Sequence, residues 1–98
     1  MIKGFLAYDL AIQLHSQCQS IKTQAYIRDQ LQRASLSVAL NLAEGSGKPS
    51  KTEQRRYYAI ALGSLRETEA LLQILNQSES QKTADRLGGM LHRLVHPK

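Results

Sequence analysis

The chain has 98 residues, 42% hydrophobic and 21% charged, with 13 lysines and arginines against 8 acids for a net charge of +5. That length supplies one domain with a modest core that self-association would supplement, and the apolar content excludes intrinsic disorder. The lone Cys18 excludes an internal disulfide, and no run approaches the roughly 20 apolar residues that span a bilayer, so the expectation is a cytoplasmic protein with no membrane segment and no cleaved leader.

Every segment reads as an amphipathic helix. The first, about 5–21, places Ala7, Leu10, Leu14, Cys18 and Ile21 three and four residues apart, which lines one helix face. The second, about 26–44, repeats the spacing with Ile27, Leu31, Ala34, Val38 and Leu42. Gly45 and Gly47 then suit a left-handed helix end, and Pro49 prevents the helix from running on. The third, about 51–75, opens on a Ser50-x-x-Glu53 capping box and carries Tyr58, Ala61, Leu65, Thr68, Leu72 and Leu75. "NQSES", 76–80, separates it from the fourth, about 82–95, with Ala84, Leu87, Leu91 and Leu94. No segment alternates as a strand would, and the connections are short. The expected fold is all-α, an up-down-up-down antiparallel four-helix bundle spanning 1–98.

Segments two and three carry surplus apolar residues. Leu36, Leu40 and Ala43 point away from the first stripe of segment two, and Ile60, Leu62 and Leu71 widen that of segment three. Such residues either crowd the core or pack against another copy of the chain, and the second reading is preferred here.

Two blocks carry a family resemblance. Arg33-Ala34, Ser37 and Asn41-Leu42-Ala43-Glu44-Gly45 form the first; Ala61-Leu62-Gly63-Ser64-Leu65 and Glu67 form the second, with unbroken spacing between them. The stretch resembles the bacterial four-helix-bundle family of proteins encoded by intervening sequences in 23S rRNA genes, which includes the accessory variability determinant of diversity-generating retroelements. It departs from the usual pattern at Ala39, Thr68 and Ala70. The resemblance implies a homopentameric barrel with a central pore and a non-enzymatic role: binding nucleic acid, RNA or DNA, and in the retroelement branch a reverse transcriptase as well.

The stretch "NLAEGSGKPSKTEQRRYY", 41–58, concentrates the candidate chemistry. It is not a phosphate-cradling nucleotide loop, because Pro49 follows Gly47-Lys48, Leu42 stands where the first glycine belongs, and the loop follows a helix. Lys48, Lys51, Arg55 and Arg56 instead make a basic cluster beside a helix N-terminus, itself a seat for phosphate, with Tyr57 placed to stack on a base. The bland alternative is a solvated helix start; repetition in a ring would turn the cluster into a rim able to meet many phosphates. Arg28, Arg33 and Arg66 are candidate extensions of it.

Glu44 closes an apolar run and is expected to be a paired structural carboxylate, with Asn41, Ser64 or an arginine as partner and Glu67 or Glu69 approaching across the bundle. Gly63 is expected to let helices approach closely. His15 with Cys18 and His92 with His96 have ligand-like spacing, but antiparallel packing keeps the pairs about 15 Å apart, so no metal and no cofactor is expected. No nucleophile–base pattern appears, and the chain is read as a non-enzyme. Two functional readings remain: a homo-oligomeric nucleic-acid-binding bundle, or a protein adaptor, such as a docking partner of a reverse transcriptase, in which charge is incidental.

Overall fold

The computed structural model describes residues 5–97 and, among them, four helices and no strand: α1 (Leu6–Gln19), α2 (Ala25–Ser46), α3 (Lys51–Ile74) and α4 (Ser78–Val95). Helix α1 packs on α2 and α4, and α3 packs on α2 and α4, while the diagonal pairs stay apart. Short links between successive helices leave this closed ring only the antiparallel up-down-up-down course. The 24 residues of α3 rise about 36 Å and set the long axis of a 41 × 21 × 20 Å body.

The stripes read from the sequence form the core. Leu14, Leu31, Leu42, Leu65, Leu72, Leu87 and Leu91 are fully buried, whereas Ile27, Leu75 and Leu94 are half-buried because they sit at helix ends. Cys18 is fully buried; burial pushes its thiol up to about 11 despite a hydrogen bond from Ser35, so it stays an uncharged packing group. Among the surplus apolar residues, Leu62 and Leu71 pack partly buried against the core, but Leu36, Leu40, Ala43 and Ile60 remain exposed. Polar clasps fix the register between helices. The Ser37 and Ser64 hydroxyls meet at 2.8 Å across α2 and α3, and Asn41 Nδ2 donates to the Ser37 carbonyl at 2.9 Å. Between α1 and α2, His15 Nδ1 lies 2.8 Å from Ser35 Oγ.

Three helix ends differ from expectation. Ser50 Oγ accepts the Glu53 N–H at 3.1 Å as a cap should, but the Glu53 carboxylate faces the Ser50 hydroxyl at 3.5 Å and does not complete the box through the backbone. The end of α2 uses no left-handed glycine: Gly45 is inside the helix, and Gly47 is right-handed at φ −91°. The last carbonyls are satisfied instead by a tightened turn, with the Gly47 N–H on the Glu44 carbonyl at 3.2 Å and the Ser46 hydroxyl on that of Ala43 at 2.8 Å. The left-handed residue is Asn76, at φ 56°, which ends α3. There the Gln77 N–H reaches the Leu72 carbonyl and the Asn76 N–H that of Gln73, the paired bonds of a Schellman end. That sharp end lets α4 begin at Ser78, inside the stretch read as a break.

Gly45 serves packing. A Cβ there would lie 2.9 Å from both Tyr57 Cβ and Tyr58 Cε1, so α3 rests directly on the α2 backbone. At Gly47 the nearest atom would be 3.7 Å away. Gly45→Ala should therefore lower the stability measured by urea unfolding by about 1–2 kcal/mol, overpacking outweighing the helix-propensity gain of roughly 1 kcal/mol. Gly47→Ala should leave it unchanged or slightly raised; equal behaviour of the two variants would contradict the close-approach account.

Candidate nucleic-acid interface at the α2–α3 loop end

The four-residue link from Gly47 to Ser50 is tied down on both sides. The Lys48 N–H donates to the Gly45 carbonyl at 3.1 Å, and Gln54 Nε2 donates to the Lys48 carbonyl at 2.9 Å. With Tyr58 turned into the core, the 100° step between helical residues divides the basic cluster. Lys48, Arg56 and Tyr57 gather on the α2 side. The Lys48 ammonium lies 5.0 Å from the Tyr57 ring centre and the Arg56 guanidinium carbon 5.9 Å from the same centre. Tyr57 thus holds two cations at the loop and does not present a bare ring to a base.

Lys51 and Arg55 face the other way, toward α4. With Gln54, Tyr58, Arg93, Leu94 and Pro97 they line a cleft of about 270 Å³. Arg93 was not among the residues expected here from the sequence. The signal was available, because antiparallel packing of α4 on α3 puts the end of one beside the start of the other. Arg28 and Arg33 do not extend the cluster: Arg28 sits near the opposite end of α2, about 30 Å away by helical rise. Arg66 is also remote and pairs with Glu69 at 3.6 Å.

Glu44 is not the buried carboxylate expected. Its side chain is 56% exposed and its Oε2 lies 3.1 Å from Lys48 Nζ, one turn on. That hydrogen bond, then the nearby Tyr57 and the charge of Glu44, raise the Lys48 pKa above its ordinary value. Neither Asn41 nor Ser64 reaches Glu44; they belong to the clasp with Ser37. Glu67 is exposed and about 15 Å further along α3, and Glu69 turns toward α4, where burial raises its pKa. Gly63 opens outward with no atom within 4 Å of an added Cβ, so it brings no helix of its own chain close. The ligand-like pairs also resolve: His15 is engaged by Ser35, and the His92 and His96 rings meet at a tilt of 50° with centres 4.8 Å apart.

Leu36 and Leu40 of α2, Ile60 of α3 and Ile12 of α1 are among the exposed apolar residues. The Ser37–Ser64 bond sets Asn41 level with Ile60, so Leu40 of α2 and Ile60 of α3 lie at the same height along the hairpin. Leu40 is 58% exposed and Ile60 46%. Ile12 of α1, 47% exposed, flanks α2 on its other side. Among the described residues, no helix is long and apolar enough to cross a membrane.

The sequence matches, over residues 5–92, the family described as 23S rRNA-intervening sequence protein. The chain belongs to this family. The fold is that of a protein of unknown function from the S23 ribosomal protein family of Bacteroides thetaiotaomicron VPI-5482, with a TM-score of 0.81, 15% identity, and coverage of 92% of this chain and 98% of that one. No curated protein matches the chain. Neither the family description nor the structural relative names a catalytic activity.

Because Glu44 occupies Lys48, removing its charge frees a cation at the loop. Glu44→Gln should strengthen binding of single-stranded nucleic acid a few-fold at low salt, read by fluorescence anisotropy, an increment in keeping with an exposed ion pair. Weaker binding by the variant would contradict this assignment.

Proposed function

We propose that the protein is a non-enzymatic, homo-oligomeric helical bundle, assembling as a pentamer, that binds RNA or DNA through a rim of basic residues repeated around the assembly. The observation that carries this reading is the gathering of Lys48, Lys51, Arg55 and Arg56 with Arg93 around one end of the bundle, where only Lys48 has a carboxylate partner among the described residues. Close like charges repel in the free protein, and a polyanion relieves them. Association of copies is supported by Leu36, Leu40 and Ile60. Covering these half-exposed side chains contributes roughly 1 kcal/mol each, taking half the value for a fully exposed one. Ile12 on one flank of α2 and Ile60 with the open Gly63 on the other supply two unlike edges, which a head-to-tail ring requires.

The same apolar surface supports a second reading, an adaptor that docks on a different protein such as a reverse transcriptase. A partner retained from lysate after nuclease digestion would favour it.

Leu36→Glu with Leu40→Glu should convert a sedimenting oligomer to monomer while leaving helical circular dichroism intact. The variant should also lose much of its affinity for single-stranded RNA, since the rim disperses. An assembly that survives both substitutions, or a monomeric wild-type protein, would refute the ring.

A further inference from the structure

The cleft between the start of α3 and the end of α4 has a composition that the basic rim alone does not explain. Three cations, Lys51, Arg55 and Arg93, converge on about 270 Å³, and none of them is paired with a carboxylate among the described residues. Tyr58 forms part of the wall although the residue is only 7% exposed. Its hydroxyl has no hydrogen-bond partner among the described residues, yet it is not one of the polar atoms sealed from solvent. A tyrosine hydroxyl that still meets solvent is free to donate to a ligand, and Tyr58 is among the residues that line this cleft. Leu94 and Pro97 add an apolar wall.

We propose that this cleft takes the terminal phosphomonoester of a nucleic-acid strand, with the adjoining nucleoside against Leu94 and Pro97. The inference rests on the nucleic-acid reading above for the identity of the strand. An internal phosphodiester carries one negative charge and two free oxygens. A terminal phosphomonoester carries nearly two charges at neutral pH and three free oxygens. Three cations and a hydroxyl donor are in excess for the first and matched to the second. The volume of about 270 Å³ is enough for a phosphate and part of a nucleoside. Lys48, Arg56 and Tyr57, around the corner on the α2 side, are left to follow the strand itself.

The test uses the full-length protein and short single-stranded RNAs of one sequence ending in a 5′-phosphate, a 3′-phosphate or only hydroxyls, with a nucleoside 5′-monophosphate as a fourth ligand. One phosphate-ended strand should bind about tenfold more tightly than the hydroxyl-ended strand, the value of one added charge-assisted contact. Tyr58→Phe, which keeps the buried ring, should abolish that preference and leave hydroxyl-ended binding unchanged, whereas Arg93→Gln should abolish it and also weaken every strand a few-fold, because one loop-end cation is lost. Lys48→Gln with Arg56→Gln should weaken all strands alike and preserve the preference. Equal affinity of the three strands would overturn the strand-end assignment while leaving the nucleic-acid reading intact. No binding of any strand would overturn both. A nucleoside monophosphate that binds as tightly as the phosphate-ended strand would make the ligand a free nucleotide and also overturn the proposal.

Discussion

The contact of Gly45 with Tyr57 and Tyr58 governs the arrangement of the α2–α3 loop end of this bundle. Two helices joined by four residues need one place where backbone meets side chain without a Cβ between them, and Gly45 provides it. Once Tyr58 is seated there, the rotation of α3 about its axis is set, and each following side chain is committed in 100° steps. Arg55 is turned to α4, and Arg56 is turned outward beside Tyr57. A basic cluster that is continuous in sequence thereby becomes two sites on either side of a helix. The Ser50 cap and the Gln54 bond to the loop carbonyl hold the start of that rotation in place.

Charge and packing act on different surfaces of the same hairpin. The cations lie at its loop, and the uncovered leucines lie along its outer side. In one subunit the loop offers a few exposed charges, which salt screens over about 10 Å at 0.1 M. Several subunits arranged side by side would place such loops on one edge, where a single strand meets many of them. Assembly is therefore the step that would convert an ordinary helix start into a binding surface, and the outward Gly63 gains a purpose only when another subunit comes near it.

The fold was legible because helical periodicity is a local property. The buried leucine stripe of each helix is where the three- and four-residue spacing places it. Helix ends were less legible, since Asn76 and Gly47 were both compatible with a left-handed turn and tertiary fit decided between them. The close approach expected at Gly63 is made by Gly45 instead, for a related reason: sequence shows that a side chain is missing but not which neighbour occupies the space. Glu44 was misplaced because the end of an apolar run was equated with burial, although its position one turn before Lys48 already offered an exposed ion pair. Arg93 was missed because it is distant in sequence, and only the antiparallel course of α4 brings it to Lys51 and Arg55.

The most direct test of shared action by several subunits is the salt dependence of binding to a hydroxyl-ended single strand. Each phosphate neutralised contributes about −0.7 to the slope of log affinity against log salt, so the five loop-end cations of one subunit cap it near about −3.5. Assembly into a rim predicts a steeper slope than that. A slope of about −3.5 or shallower, obtained on the intact wild-type protein, would mean that no more than one subunit engages the strand and would contradict the account.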